Sequence, residues 1–311
     1  MNKEKNFASA VVYVHNCEKK INEFITTIIQ ILEENFEHSE VICVNDSSAD
    51  NSLRIIKKIS ELATSVSVSV INMSCYHGIE AAMNAGVDLS IGDFVFEFDN
   101  MNLDFNKDVV MQVYRRALQG YDIVSAVPDR KQKLSSKLFY TMFDRNSSLG
   151  CAMNTESFRV LSRRAINRIS AMNVMIPYRK VVHVNCGLQT DNIKYSVYAT
   201  EKYKVDKQEK AYRFELAVDS LILFTNIGYR FAKFMSGMMI IITLITLFYT
   251  VFAYIVSSPV EGWTSTILFL SIVFLGVFVM FTVIVKYLQI ILELVFKKKH
   301  YTFESIEKIT K

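Results

Sequence analysis

At 311 residues, with a net charge of +4 and a pI near 8.6, the chain is too long for one small domain and only modestly basic. That excess suits a membrane-facing protein better than a nucleic-acid binder. Hydrophobic residues make up 51% of the chain and the mean hydropathy is +0.21, high for a soluble enzyme. The five cysteines (Cys17, Cys43, Cys75, Cys151, Cys186) show no Cys-x-x-Cys spacing, which argues for free thiols in a reducing compartment and against a zinc site.

Ser9 to Val14 reads as a buried strand, and Glu18 to Phe36 as a helix with Ile21, Phe24, Ile25, Ile28, Ile29 and Leu32 on one face. Val41 to Val44 is the second strand. It runs into the polar turn Asn45-Asp46-Ser47-Ser48-Ala49-Asp50 and then a helix from Ser52 to Ala63. Strand, acidic turn, helix is the crevice geometry of an open α/β sheet, where ligands sit beyond the carboxyl ends of the strands. Asp46 and Asp50 there suit a base or a ribose, whereas a phosphate-cradling loop would be rich in Gly. The plainer reading of Asp50 is a helix cap. Val66 to Met73 (strand), Gly78 to Ser90 (helix), Asp93 to Phe98 (strand), Lys107 to Gly120 (helix) and Asp122 to Ala126 (strand) continue the alternation. The fold class expected is therefore α/β, with a mostly parallel, doubly wound sheet. Beyond about Arg130 the pattern turns helical and basic.

No charged residue occurs from Phe234 to Val260, nor from Gly262 to Val285. Each stretch exceeds the ~20 apolar residues that cross a bilayer core. Ser257-Ser258-Pro259-Val260-Glu261-Gly262-Trp263 between them is a short turn, so a two-helix transmembrane hairpin is expected. The second stretch stays apolar to Phe296, around Lys286 and Glu293, and its end is read as interfacial. Arg230 and Lys233 precede the hairpin, Lys297, Lys298 and Lys299 follow it, and the loop between has no Lys or Arg. The positive-inside rule places the N-terminal 230 residues and the tail in the cytoplasm. The expected domains are 1–212 (catalytic), 213–233 (juxtamembrane amphipathic helix), 234–296 (transmembrane) and 297–311 (tail). Met1-Asn2-Lys3-Glu4-Lys5 opens no apolar leader, so no signal peptide is expected.

Five blocks in order carry a resemblance. They are Val11 to Glu18, Val44 to Asp50, Ser74 to Gly86, Gly92 to Asp99 and Ser157 to Arg164. With the hairpin, the chain resembles a family 2 glycosyltransferase of the GT-A (Rossmann-like) fold. Within that family it is most similar to membrane-bound polyprenyl-phosphate transferases, the dolichyl-phosphate-mannose-synthase and bactoprenol-glucosyltransferase type. The resemblance implies nucleotide binding by Val14, Asn16, Glu18, Asp46, Asp50, His77 and Asn84. It implies catalytic roles for Asp99, Arg159 and Glu156, and phosphate or acceptor binding by Arg130, Lys137 and Arg163. It implies Mg2+ or Mn2+ held by Asp99 with Asp104. Tyr13 and His15, at the end of the first strand, are candidates to pack on the nucleobase.

The sequence departs from the family pattern in three places. Asp-x-Asp becomes Asp99-Asn100-Met101, so the second carboxylate is missing. Ser157 stands where the pattern has Asp. The Arg-x-x-Gly-x-Ser-Lys-Tyr stretch is barely visible in Lys202-Tyr203-Lys204-Val205-Asp206-Lys207.

The implied reaction is inverting transfer of a hexose from a nucleotide sugar, UDP-sugar before GDP-sugar, to undecaprenyl phosphate. It would take place at the cytoplasmic face of a bacterial inner membrane, by a homo-oligomer such as a tetramer. A lipid phosphate, with a second pKa of roughly 6, is already anionic and needs no strong base. Arg159 and Arg163, four apart, are expected on one helix face, and Arg164 and Arg168 on a solvated or headgroup-facing surface. Alternation puts Glu97 on the side of Asp99, about 6–7 Å deeper, where a buried ion pair is the plainer reading. The alternatives are a transferase that elongates a lipid-linked saccharide through a carboxylate base, and a degenerate subunit that binds without catalysing.

Overall fold

The computed structural model describes residues 3–61, 63, 65–130, 155–172, 179–197 and 303–308, with isolated helical positions at 141 and between 214 and 291. The chain divides into two units. One comprises Met1–Thr141, Leu149–Leu216 and Lys299–Lys311, the other Met142–Ser148 and Ala217–Lys298.

In the first unit the elements run β1 (Ala8–Val14), α1 (Glu18–Asn35), β2 (Ser39–Asn45), α2 (Ser52–Ser60), β3 (Val66–Met73), α3 (Ile79–Leu89), β4 (Phe94–Phe98), α4 (Lys107–Leu118), β5 (Ile123–Pro128), β6 (Phe158–Ser162), α5 (Arg163–Met172), α6 (Arg179–Asn185), β7 (Thr190–Tyr195) and β8 (Phe303–Lys308). The described strands make an eight-stranded sheet in the order β7-β5-β6-β4-β1-β2-β3-β8. β4, β1, β2 and β3 are mutually parallel, β6 runs antiparallel between β4 and β5, and β8 is antiparallel to β3. The chain winds from β1 to β2 and β3 on one side, then to β4 on the other. That switch opens a crevice at the carboxyl ends of β1 and β4.

The near-continuous apolar runs follow from burial on both faces of a parallel sheet. Ala8, Ala10, Val12 and Val14 of β1 join a core with α1 and α4, around Phe24, Phe36 and Tyr114. Val11 joins a second core with Ile42, Val44, α3 and α5. A Cβ on Gly86 would lie 2.3 Å from Val11 Cγ1 and 2.8 Å from Val44 Cγ2, so its absence lets α3 settle directly on β1 and β2.

Three findings differ from the sequence expectations. Phe158–Ser162 is a strand, because its alternating residues enter both cores. Arg159 therefore lies on β6 and Arg163 opens α5, and the two do not share a helix face. Thr190–Tyr195 is a further strand, parallel to β5. Residues 303–308, expected in a tail, pair with β3 from Met73 to Ser69 and so complete the sheet of the first unit.

In the second unit, described positions include exposed Phe234, Ile241, Ile245, Leu270, Ile284, Leu288 and Ile291. A Cβ on Gly276 would lie 2.8 Å from Met239 Sδ, a close approach of the kind small residues permit between helices. Among the described residues no helix is long and apolar enough to cross a membrane. The two charge-free stretches and the 213–233 helix lie outside the described residues except at isolated positions.

Candidate active site

The turns after β1, β2 and β3 interlock. Asp46 follows β2 and is wholly buried; its N–H donates to Val14 O, at the end of β1. Its Oδ1 accepts the His77 N–H at 2.8 Å, and its Oδ2 accepts the Gly78 N–H at 2.9 Å and the Tyr13 hydroxyl at 3.1 Å. His15 Nδ1 lies 2.6 Å from Asp46 O, so that nitrogen carries the proton, and Nε2 accepts from Asn16 Nδ2. The His15 and Tyr76 rings meet at 4.8 Å.

Asp50 does what its position suggested for a cap. Oδ1 accepts the Ser52 N–H at the start of α2, and Oδ2 accepts the Glu18 N–H at the start of α1. Bonds from Ser52 and from backbone N–H groups hold its carboxyl below the usual range, against the opposing pull of burial. Glu18 Oε2 accepts from Asn51 in return, and Asn16, at a positive φ of 47°, accepts the Ala49 N–H. The structure thus gathers Val14, Asn16, Glu18, Asp46, Asp50 and His77 at one end of the sheet. Asn84 is not gathered there; it is exposed, off the face that Ala82, Ala85 and Gly86 press onto the sheet.

Because β6 is antiparallel, its first residues reach the same end as the last residues of β4. Glu97 pairs in register with Arg159, beside Phe98 with Phe158. Arg159 is buried and touches three carboxylates. Nη2 donates to Asp99 Oδ2 at 2.5 Å, Nη1 lies 3.4 Å from Glu97 Oε2, and Nε lies 3.6 Å from Glu156 Oε2. Its Nη1 also meets His183 Nδ1 at 3.0 Å, which requires the neutral imidazole to accept there. Burial, with Arg159, Arg179 and Lys180 around it, holds His183 well below its ordinary value.

Arg179 bonds Glu97 Oε1, and its Nη1 lies 4.0 Å from Asp99 Oδ1. Lys180 Nζ lies 3.0 Å from Glu156 Oε1. Among the described residues, three buried atoms here have no hydrogen-bond partner, Glu97 Oε2, Asp99 Oδ1 and Arg159 Nε. Each faces an opposite charge at 3.4–4.0 Å. The ion-pair reading of Glu97 holds. Burial raises its carboxyl, and Arg179 and Arg159 oppose that rise. Glu156 goes the other way, to about 2, because Arg159 and Lys180 outweigh its burial. Glu156, expected as catalytic, is ion-paired with two cations, Arg159 and Lys180.

Alongside lies a second group. Asp104 Oδ1 accepts the Tyr195 hydroxyl at 2.9 Å, Tyr195 also meets Ser157 Oγ at 2.6 Å, and Arg130 Nη1 lies 3.6 Å from Asp104 Oδ2. Arg130 is more than half exposed at the carboxyl end of β5. Arg163 is not part of the cleft. Its guanidinium donates to Gly92 O and its N–H to Asp93 O, at the opposite end of β4, because the antiparallel strand carries it there. Arg164, expected on a solvated surface, is largely exposed yet ion-paired with Asp122. Lys137 lies outside the described residues.

Glu80, Arg179, Lys180, His183 and Tyr195 were not singled out by sequence. Glu80 stood inside a matched block; the others carry no motif. Glu80 Oε2 accepts the Arg179 N–H at 2.9 Å, which ties α6 to α3. Burial first, then Asp99, push its carboxyl up to about 7, against Arg179. A raised folded-state value gives stability that is complete below the unfolded value near 4.5 and lost as pH rises through about 7. Glu80→Gln should match wild type at pH 5 and exceed it by about 1–2 kcal/mol at pH 8. Thermal unfolding of both proteins at both pH values checks this, and an equal difference at the two would refute it.

Each carboxylate expected to hold a metal already faces a cation. Asp99 Oδ2 is bonded to Arg159 while Oδ1 faces Arg179 at 4.0 Å, and Asp104 accepts from Tyr195 with Arg130 loosely placed at 3.6 Å. Met101 puts a buried thioether where the pattern has a second carboxylate. Among the described residues no three His, Cys, Asp or Glu side chains gather to hold an ion. The donor set does not fit a resident divalent cation.

Residues 9–170, over half the chain, match the family described as glycosyl transferase family 2. The chain belongs to this family. It is 23% identical over 283 residues to the uncharacterized glycosyltransferase YkcC of Bacillus subtilis (strain 168), covering 86% of this chain and 84% of that one. It is 25% identical over 275 residues to the bactoprenol glucosyl transferase of Shigella phage SfV, covering 86% and 88%. Its fold is that of the mannosyltransferase PcManGT from Pyrobaculum calidifontis, solved with GDP-Man and Mn2+. The TM-score is 0.50 at 13% identity, over 70% of this chain and 63% of that one. This family 2 member is a transferase with a GT-A-like, mostly parallel sheet.

Proposed function

We propose that this transferase moves a hexose from a nucleotide sugar, a UDP-sugar before a GDP-sugar, to a polyprenyl phosphate such as undecaprenyl phosphate, with inversion. A phosphate oxygen of the lipid attacks the anomeric carbon opposite the diphosphate. The new C–O bond forms as the bond to the diphosphate breaks, and the nucleoside diphosphate leaves. The observation that carries the reading is the state of the cleft's carboxylates. Glu97, Asp99 and Glu156 are each bound to guanidinium or ammonium, and Asp104 to a phenol and Arg130. Such groups are poor proton acceptors, which suits an acceptor that arrives already ionised. The relative named bactoprenol glucosyl transferase, similar over 86% of the chain, supports the same acceptor class. In this reading Asp46 and Asp50 hold the turns that shape the nucleotide cleft, and Arg130 meets phosphate.

The reading includes a hairpin of residues 234–296 in a bacterial cytoplasmic membrane, with the catalytic unit in the cytoplasm and the chain in a homo-oligomer such as a tetramer. Two observations support the hairpin. Large apolar side chains are exposed along the described positions of the second unit. Since β8 pairs with β3, the chain on both sides of residues 217–298 belongs to one folded body, so a membrane segment between them crosses an even number of times.

The test is the full-length protein with undecaprenyl phosphate and a panel of nucleotide sugars. Glycolipid and nucleoside diphosphate should appear together for one sugar, and neither across the panel would reject the reading. Glu80, with its carboxyl near neutrality, favours a second reading in which the acceptor is a hydroxyl of a lipid-linked saccharide and Glu80 is the base. Loss of all activity in Glu80→Gln, with folding intact, would select it.

A further inference from the structure

The family resemblance implies a divalent cation between Asp-x-Asp and the donor's diphosphate. The residues at that place carry a different solution. Three cations, Arg159, Arg179 and Lys180, are interleaved with Glu80, Glu97, Asp99 and Glu156 at the carboxyl end of β4. Arg159 and Arg179 are both nearly fully buried, and the Asp99 carboxylate lies 2.5 Å from the first and 4.0 Å from the second. A divalent ion on Asp99 would have to take Oδ1, since Oδ2 is held by Arg159 at 2.5 Å, and there it would compete with Arg179 Nη1 at 4.0 Å and sit within a few ångströms of two buried guanidiniums. Like charges at such spacing in a buried site repel strongly. Asn100 and Met101 add no second charge to hold the ion.

We infer that this protein binds its nucleotide donor without a divalent cation, and that Asp99 serves as the counter-ion of the buried Arg159–Arg179 pair rather than as a metal ligand. The inference rests on the reading that the cleft takes a nucleoside diphosphate. Among the described residues Arg130 is an exposed cation at its rim, 3.6 Å from Asp104 and so able to turn onto a phosphate without stripping a tight ion pair. A guanidinium meets phosphate oxygens two at a time, which a hydrated lysine ammonium does not.

Three measurements on the full-length protein in detergent test the inference. Calorimetric titration with UDP and with GDP, in Mg2+ and in EDTA, should give dissociation constants within about threefold of each other, and tightening by more than about tenfold with the metal overturns the inference. Mn2+ titrated alone and followed by electron paramagnetic resonance should stay free, and stoichiometric capture overturns it. Asp99→Ala should lower the unfolding temperature by roughly 5 °C in EDTA and in Mn2+ alike, since it takes one counter-ion from two buried guanidiniums. An unchanged or raised unfolding temperature, the signature of removing one charge from an empty metal site, overturns it. If neither nucleotide binds under either condition, the donor reading fails, and the manganese and Asp99→Ala results still decide the role of Asp99.

Discussion

Arg159→Met is expected to remove about 3–5 kcal/mol of stability, the range found when one partner of a buried ion pair is deleted. The methionine fills much the same volume, so lost packing is a small part of the loss. The larger part is electrostatic. Arg159 touches Asp99, Glu97 and Glu156 and donates to His183. Without it Glu97, fully buried, keeps Arg179, and Glu156 keeps Lys180 and a hydrogen bond with Ser125. A lysine at 159 rescues little, because one compact ammonium cannot reach three carboxylates as a planar fork does. The origin of the loss is readable from pH. In the variant the stranded carboxylates acquire folded-state pKa values above their unfolded ones, so the penalty is small in acid and grows as pH rises. Thermal unfolding of Arg159→Met and wild type at pH 5 and pH 8 should show the gap widening at pH 8. A gap equal at both values would mean that packing, not charge, fixes the role of Arg159.

The strands and helices up to β5 were legible because parallel strands buried on both faces must be almost wholly apolar, and the helices between them show the 3.6-residue stripe. Both signals are local. β6 escaped because Phe158-Arg159-Val160-Leu161-Ser162 puts an arginine inside a strand, and only the carboxylates of β4 make that burial tolerable. β8 escaped because nothing in Phe303–Lys308 announces that it returns to β3 across more than 200 residues. The same limit applies to the site. Asp46, Asp50, Asp99 and Arg159 sit in turns or blocks with a pattern. Arg179, Lys180 and Tyr195 reach the cleft only through tertiary folding. The misplacement of Arg163 follows from one error of type. Read as helix, positions 159 and 163 share a face; on an antiparallel strand leading into a helix they lie at opposite ends of the sheet.

Asp46→Ala carries the second large expected effect, and its cause is hydrogen bonding rather than charge pairing. The Asp46 carboxylate receives two backbone N–H groups, from His77 and Gly78, and the hydroxyl of Tyr13. Gly78 has φ of 84° and precedes α3, so the chain enters that helix through a turn that the carboxylate holds from beneath. Alanine would leave two donors without partners in a buried place, at about 1–3 kcal/mol each, so a loss of roughly 3–5 kcal/mol is expected. Asparagine keeps one acceptor oxygen but turns an amide toward the remaining donors, so Asp46→Asn should fall between alanine and wild type. Amide hydrogen exchange gives the sharper measurement. His77, Gly78 and the first turn of α3 should exchange faster in Asp46→Ala, while β5 and α4, on the far side of the sheet, keep wild-type protection. The turn also lies beside β1, two strand spacings or about 10 Å from the end of β4. Loosening it should therefore weaken nucleotide binding while the Arg159 cluster stays intact. Uniform loss of protection throughout the sheet would show that Asp46 holds up the whole fold and has no special tie to the nucleotide turn.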